Sequence, residues 1–255
     1  METYNYEFVT ECVFDPVVRC HSYKLRVQPM ESECQRVVSS KVVLTPSTDV
    51  NYAVDSFGNN VIFGLIDDEH GSFNVVSKGV VECGEYGIAD TMPAEYYRYP
   101  TPLTQWNDNL RALAAGCDPV EIMHAIHRKM RYQRFVTTNA TTAIEAYYGG
   151  VGVCQDFAHV MIAACRAAGY LARYVNGMVV GEGETHAWVE VYRPDGRWVG
   201  YDPTFDRHIT TGYIKFAHGR DTNDCPVNRG RFFNRTTETM TIKCKVTDDT
   251  DRDIS

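Results

Sequence analysis

The alternation of apolar and polar positions divides the chain into two parts. In the first third, apolar and aromatic residues occupy every second position, as in Tyr4, Tyr6 and Phe8, or form short β-branched runs. Stretches rich in Gly, Asn and Ser, such as residues 56–60, separate these runs and are typical of turns. Several short strands at this spacing predict an antiparallel β-sandwich domain over residues 1–90.

The second part, residues 91–255, follows a stretch rich in Pro and Tyr and has helical periodicity. A periodic segment at residues 103–115 predicts a helix. Asp118-Pro119-Val120-Glu121 combines an N-cap residue, a proline at the first helical position and a glutamate at the third, which is a capping box. Thr142-Ala143-Ile144-Glu145 gives a similar start signal. We therefore expect three helices in this region.

A glycine-rich turn at residues 149–152 leads to Cys154 and then to an apolar run, Phe157 to Ala168, that stops at Gly169. The run has no proline and no β-branched cluster, so it predicts a helix. Apolar residues around its whole circumference predict that this helix is buried. Cys154 would then lie at the helix N-terminus, where free N–H groups and the dipole stabilise a thiolate. Those N–H groups could also donate to the oxyanion that forms when the sulfur attacks a carbonyl.

Two predicted strands, residues 185–192 and 197–202, form a hairpin around a Pro-Asp-Gly turn. Side chains alternate between the two faces of a strand, so His186 shares a face with Asp202. The turn places these two residues almost opposite each other. We expect the carboxylate to orient the imidazole and the imidazolium to supply the positive partner of Cys154.

Metal binding is the alternative use of these residue types. Glu121, His124 and His127 have ligand-like spacing, but the pattern occurs once and di-metal bundles need it twice, so a solvated polar helix face is predicted instead. A zinc site at Cys154 and its predicted partners lacks the paired spacing of zinc ligands. His159 is predicted to point away from Cys154 on the same helix. We expect no metal and no cofactor.

Composition and charge restrict the partners. The chain has 255 residues and a net charge of -8, which argues against nucleic acid or an anionic membrane as a partner. No basic and apolar leader pattern precedes the first strand, and no run has transmembrane length. The nine cysteines include no C-x-x-C pair, which favours reduced thiols and a cytoplasmic location.

Three segments of the second part resemble the three motifs of the transglutaminase-like superfamily. They are Gly152-Val153-Cys154-Gln155-Asp156-Phe157-Ala158, His186-Ala187-Trp188-Val189-Glu190-Val191 and Trp198-Val199-Gly200-Tyr201-Asp202-Pro203-Thr204. More narrowly, they resemble the bacterial transglutaminase-like cysteine proteases. Ser56-Phe57-Gly58-Asn59 is similar to a segment of the N-terminal β domain of that branch, and Gly219-Arg220-Asp221 to part of its C-terminal segment.

The resemblance implies an α+β fold in which a buried helix bearing the cysteine packs on an antiparallel sheet, as in the papain-like core. An antiparallel β-sandwich domain precedes this core. The resemblance also implies a triad, with Cys154 as nucleophile, His186 as general base and acid, and Asp202 as the residue that orients the histidine.

The implied activity is hydrolysis of a peptide or protein amide through a thioester. Gln155 stands where animal transglutaminases have an aromatic residue, and no acidic loop resembles a calcium site, so hydrolysis is preferred to crosslinking. Protein-glutamine acyl transfer to an amine and a non-catalytic binding module are the alternatives. Gln155, Tyr148 and Trp188 are candidate substrate or oxyanion contacts because they lie near the triad in the sequence.

Overall fold

The computed structural model describes residues 1–248, so the last residues of the predicted second domain lie outside it. The strands of the first part are β1 (Glu2–Val18), β2 (His21–Leu25), β3 (Gln35–Thr45), β4 (Asn51–Val54), β5 (Asn60–Ile66), β6 (His70–Cys83) and β7 (Ile88–Ala89). The helices are α1 (Asp108–Ala114), α2 (Pro119–Lys129), α3 (Ala143–Gly149) and α4 (Cys154–Ala167), with 3-10 turns at Glu95–Arg98 and Pro102–Thr104. The later strands are β8 (Arg131–Tyr132), β9 (Val151–Gly152), β10 (Ala172–Val179), β11 (Gly181–Gly183), β12 (His186–Tyr192), β13 (Arg197–Asp202), β14 (Arg207–His208), β15 (Tyr213–Gly219), β16 (Asn228–Arg231) and β17 (Thr237–Asp248).

Two antiparallel sheets form the β-sandwich that the alternating pattern predicts. One has the strand order β11-β17-β1-β6-β3 and the other the order β16-β2-β5-β4. Their inner rows meet in one apolar cluster that includes Phe8, Leu25, Ile62 and Phe73, all fully buried. The described chain has no helix before residue 95. Burial of alternate apolar residues therefore explains the period of two in this part of the sequence.

The two C-terminal strands return to the sandwich. β17 pairs with β1 from Tyr4↔Asp248 to Asp15↔Thr237, and β16 pairs with β2. The sequence pattern predicts these strands as part of the second domain, whereas their hydrogen-bonded partners lie in the first 25 residues. The domain boundary at residue 90 stays a prediction. Both sheets of the sandwich contain strands from before and after this residue.

The second apolar core lies between α4 and a sheet of order β14-β13-β12-β10-β15, with β7 beside β13. Residues 156–166 of α4 are all buried, because α1, α2 and α3 cover the sides of the helix that the sheet leaves free. Gly169 ends the helix at φ 90°, a conformation that favours glycine. The buried helix on an antiparallel sheet confirms the predicted α+β fold.

Side-chain caps set the starts of the short helices. Asp118 accepts hydrogen bonds from the N–H groups of Val120 and Glu121, as its capping box predicts. Helix α1 is shorter than the predicted segment 103–115, because Asn107 caps a new start by accepting from the Leu110 N–H at 3.1 Å. The prediction for residues 105–107 was therefore wrong, and an asparagine cap is the physical reason.

Candidate active site

The turn before α4 delivers Cys154 as the first residue of the helix. β9 pairs in parallel with β8 and fixes Gly152 two residues before the cysteine. A Cβ atom on Gly152 would lie 2.6 Å from Asp156 Oδ2, so only glycine fits at this position. The glycine therefore allows the first helical turn to fold back tightly against the strand.

Asp156 closes this turn from the third position of the helix. Its Oδ2 accepts hydrogen bonds from the Val153 N–H at 2.8 Å and from the Thr137 hydroxyl at 2.7 Å. Burial raises the pKa of this carboxyl, and the two hydrogen bonds act against that rise. Asp156 thus caps the helix that carries Cys154.

His186 and Asp202 lie at the free ends of neighbouring strands. His186 begins β12, Asp202 ends β13, and their ladder runs from Tyr192↔Trp198 to Val189↔Tyr201. His186 Nε2 and Asp202 Oδ2 are 2.6 Å apart, and both side chains are buried. The hairpin therefore brings together the two residues that alternation placed on one face.

Cys154 lies close enough to His186 to influence the pKa of the imidazole. Because Asp202 occupies Nε2, the ring nitrogen that faces the thiol is Nδ1. Burial alone would lower the pKa of His186, but its interactions with Asp202 and Cys154 outweigh burial and raise the pKa to about 10. The imidazole is thus protonated at neutral pH and supplies positive charge beside the sulfur.

Four donors hold the Asp202 carboxylate. Oδ2 accepts from His186 and from the Tyr213 hydroxyl at 2.7 Å, while Oδ1 accepts from the N–H groups of Thr204 and Phe205 at 2.9 and 3.2 Å. Burial raises the pKa of Asp202, but the bond from His186 and the other donors bring the net pKa below its ordinary value. Asp202 is therefore a fixed, charged partner of the histidine.

The loop after Asp202 packs against the histidine and is held by α2. The Phe205 ring stacks on His186, with centroids 4.9 Å apart and planes at 13°. His124 Nδ1 lies 2.6 Å from Asp206 Oδ1, and His127 Nδ1 lies 3.2 Å from the Pro203 carbonyl. Glu121 and Arg128 on the polar face of α2 are exposed, as predicted, whereas His124 and His127 are half-buried because they contact this loop.

Cys154 and His186 open onto a cleft of about 270 Å³. Its walls come from both halves of the molecule: Tyr132 and Asn139 on one side, and strand β17 on the other. The cleft is lined by Tyr132, Asn139, Val153, Cys154, Gln155, Tyr174, Asn176, Glu184, Thr185, His186, Ala187, Thr222, Pro226, Val227, Asn228, Met240 and Ile242. An acyl group bound to the sulfur would extend into this space.

Of the three candidate substrate contacts, only Gln155 lines the cleft. Tyr148 lies on the surface, where its hydroxyl accepts hydrogen bonds from Asn107 and Asn109 at 3.1 and 2.7 Å. Trp188 is fully buried. Closeness in the sequence was thus a poor guide, because a residue near the triad along the chain can lie on the other side of a helix or strand.

Trp188 belongs to a buried polar network below the site. Its Nε1 donates to the Tyr86 hydroxyl at 2.9 Å, and that hydroxyl donates to Glu190. Glu190 also forms ion pairs with Arg173 and, at 2.8 Å, with Lys215. Burial raises the pKa of Glu190, but the two cations outweigh burial and lower the pKa to about 2. The network joins three strands beneath His186.

His159 on α4 and the other thiols have surroundings that differ from those of Cys154. His159 accepts a hydrogen bond from the Thr222 N–H at 3.3 Å, and burial lowers its pKa to about 3. Burial raises the pKa of Cys165 to about 12. In residues 1–248, no group of three or more His, Cys, Asp or Glu side chains is arranged to hold a metal ion.

The fold and the site define a class. A half-buried thiol at a helix start, beside a histidine that a buried carboxylate orients, is the arrangement of thiol-dependent acyl-transfer proteins. The model of the transglutaminase-like superfamily matches residues 104–203, which contain Cys154, His186 and Asp202. The model of the bacterial transglutaminase-like N-terminal region matches residues 4–82. The chain belongs to the transglutaminase-like superfamily.

Individual proteins agree with this assignment. An uncharacterized protein of Mycobacterium leprae is 27% identical, over 93% of this chain and 96% of its own length. A protein-glutamine gamma-glutamyltransferase of Pseudomonas aeruginosa is 29% identical over 41% of this chain and 20% of its own length. The crystal structure of a candidate cysteine protease of Cytophaga hutchinsonii has the same fold, with a TM-score of 0.79 and 22% identity over 96% of this chain and 90% of that one. No helix among residues 1–248 has the length and apolar character needed to span a membrane.

Proposed function

We propose that the protein is a cysteine peptidase or amide hydrolase that acts through a thioester on Cys154. The observation that carries this proposal is that Cys154 and His186 line the same cleft, with His186 Nε2 2.6 Å from the buried Asp202 carboxylate. A thiol, a base and an orienting carboxylate at the edge of a cleft form a complete set for nucleophilic acyl transfer. Neither a metal nor a cofactor takes part in this scheme.

The first half of the reaction forms the thioester. His186 Nδ1 takes the proton of the Cys154 thiol, and the sulfur attacks the amide carbonyl carbon so that a C–S bond forms. The N–H groups of Cys154 and Gln155 have no acceptor within the helix and can donate to the oxyanion. When the tetrahedral intermediate collapses, the C–N bond breaks and the Nδ1 proton passes to the leaving amine.

The second half regenerates the thiol. His186 Nδ1 takes a proton from a water molecule, whose oxygen attacks the thioester carbonyl carbon. Collapse of this second intermediate breaks the C–S bond and releases a carboxylic acid. Asp202 stays ionised throughout and holds the ring in the orientation in which Nδ1 faces the sulfur.

Acyl transfer to an amine is the second candidate. The sequence similarity to the Pseudomonas aeruginosa protein-glutamine gamma-glutamyltransferase supports it, because the matched part is 29% identical. Transfer needs a site that holds the amine and excludes water. The glycine-bearing strand β11 beside His186 is exposed and offers no aromatic wall, which favours hydrolysis. The intact triad argues against a non-catalytic binding module.

Product partitioning separates the two reactions. The protein is screened against a peptide library, and a cleaved peptide is then incubated with and without millimolar propylamine. We expect mass spectrometry to detect mainly the acid product in both cases, with no product from the Cys154→Ala variant. A predominant propylamide product would replace the hydrolase proposal with the transferase. Full activity of Cys154→Ala would refute covalent catalysis. The predicted cytoplasmic location stays a prediction.

A further inference from the structure

Strand β17 has one edge paired along its whole length and the other edge paired only at one end. β1 covers residues 237–248, whereas β11 covers only 244–246 on the opposite edge. Within residues 1–248, no other strand pairs with the remaining stretch, residues 237–243. Seven extended residues span about 23 Å and present every second N–H and C=O pair outward.

This open edge borders the catalytic cleft. The inward-facing residues of β17 become more exposed from its C-terminal end toward its N-terminal end: Val246 is 1% exposed, Cys244 7% and Met240 45%. Met240 and Ile242 line the same cleft as Cys154. The part of β17 that lies outside the apolar core and lines the cleft beside Cys154 is therefore the part that β11 does not pair with.

Strand β11 marks the line that an added strand would follow. It runs antiparallel to β17, from Gly181↔Val246 to Gly183↔Cys244, and the chain then leaves this edge to reach His186 three residues later. Beyond Gly183 the same line continues beside residues 237–243. A peptide on that line would extend the sheet order by taking the place next to β17 that β11 vacates.

The cleft lining suits an extended and uncharged peptide. Among residues 1–248, Glu184 is the one acidic residue that lines the cleft, and its carboxylate lies 3.5 Å from Arg134. Apolar surface and side-chain amides form much of the rest, from Tyr132, Asn139, Val227, Asn228, Met240 and Ile242. Side-chain amides can pair with a peptide backbone, and apolar surface can receive alternate side chains.

We propose that the substrate is an extended polypeptide segment that adds to the open edge of β17 as an antiparallel strand and so carries its reacting amide to Cys154. This inference rests on the proposed function and specifies its substrate class. Backbone pairing supplies affinity that depends little on sequence, and side chains facing the cleft supply selectivity. A compact, folded surface without an extended segment is therefore a poor substrate.

The first test measures the rate at which Cys154 is alkylated in the unchanged protein. The probes are acetyl-Ala chloromethyl ketone and acetyl-Ala-Val-Ala-Val-Ala chloromethyl ketone, with a series of the longer peptide N-methylated at one amide at a time. We expect the longer probe to react at least about tenfold faster, since it can form several more hydrogen bonds. N-methylation should lower the rate about tenfold at alternate positions and little at the positions between them, because alternate N–H groups face β17.

The second test locates the bound peptide. A diazirine analogue of leucine replaces each valine of the longer probe, and the alkylated protein is irradiated and digested. Crosslinks should map to residues 237–243, in a register that runs antiparallel to β17. Crosslinks to residues 132–139 instead, an absence of period two in the N-methyl series, or equal rates for both probes would overturn strand addition.

The two failures remain distinguishable. If acetyl-Ala chloromethyl ketone alkylates Cys154 no faster than Cys117, the nucleophile itself is in error and the proposed function fails together with this inference. If that small probe modifies Cys154 selectively but the peptide series shows no backbone dependence, only strand addition is refuted.

Discussion

At the scale of single residues, the site depends on how one imidazole is held. His186 lies beside Cys154, Asp202 and the Phe205 ring, and its pKa of about 10 results from interactions that outweigh burial. Tyr213 supports this arrangement from the next layer by donating to Asp202. The chemistry of the cysteine is therefore set by residues from three strands and one loop.

Replacing Asp202 with asparagine should separate orientation from charge. The variant keeps an acceptor oxygen but loses the negative charge that raises the pKa of His186, so that pKa falls and the alkaline limb of kcat/KM moves to lower pH. We expect kcat to fall about 10²-fold or more, because general acid–base catalysis contributes about 10²–10⁴-fold. The measurement is a pH–rate profile on a cleaved peptide. An unchanged alkaline limb would contradict the assigned role of Asp202.

The grouping of Cys154, His186 and Asp202 could be predicted from the sequence, whereas the residues that support it could not. Cys154 follows a glycine turn, and His186 and Asp202 are related by the period of a hairpin, so local geometry is enough to place them. Phe205 and Tyr213 act through contacts made only after the sheet has formed, and no local pattern marks them. Tertiary packing supplies this information.

At the scale of elements, the sheet beneath the site is joined by buried charge. Three charged side chains are buried there, and the single carboxylate balances the charge of two cations. They are Arg173 on β10, Glu190 on β12 and Lys215 on β15. The Arg173 guanidinium also lies 4.1 Å from the centre of the Trp198 ring. Such a cluster is sensitive to the loss of any one partner.

Glu190→Gln should be strongly destabilising. The change keeps the size of the side chain but leaves two buried cations without a counter-charge, which costs about 3–5 kcal/mol when a buried pair is broken. Urea unfolding followed by circular dichroism measures the loss. The matched control is Glu182→Gln, an exposed ion pair with Lys245 at 2.8 Å, for which no resolvable change is expected. Equal effects of the two substitutions would show that the buried cluster carries no special weight.

Elements with strong caps and clear periods were predicted well, and the exceptions have physical causes. α2 and α4 begin where their start signals indicate, but α1 begins late because Asn107 caps it. The polar face of α2 is amphipathic in the expected way, yet the hydrophobic pattern cannot tell whether polar side chains meet solvent or a neighbouring loop. His124 and His127 meet the loop.

At the scale of the whole molecule, the turn at Ser56–Asn59 attaches the sandwich to the sheet that carries His186. Asn59 is fully buried, donates to the His218 carbonyl and accepts from the His218 N–H, both at 2.8 Å. His218 lies on β15, the strand that also carries Tyr213. This contact gives the segment a physical role that the sequence pattern alone did not reveal.

Asn59→Ala should weaken this attachment. Two buried backbone groups of His218 lose their partners, and each unsatisfied group costs about 1–3 kcal/mol. We expect a lower free energy of unfolding and a lower kcat, because the strand that orients Asp202 is loosened. Asn60→Ala is the control, since Asn60 makes only a 3.5 Å contact with the Pro29 carbonyl. A stability equal to that of Asn60→Ala would contradict the role of Asn59.

The long pairing of β1 with β17 also determines when the first sheet can be finished. Tyr4 pairs with Asp248 and Asp15 with Thr237, so each contact joins residues more than 200 positions apart. A ribosome makes β1 before the four helices and makes β17 after them. Until β17 has been made, one edge of β1 has no hydrogen-bonding partner. Contacts between residues so distant in the sequence also form slowly. Translation speed and the presence of a chaperone should therefore affect the yield of this protein more than they affect a chain whose neighbouring strands are made in succession.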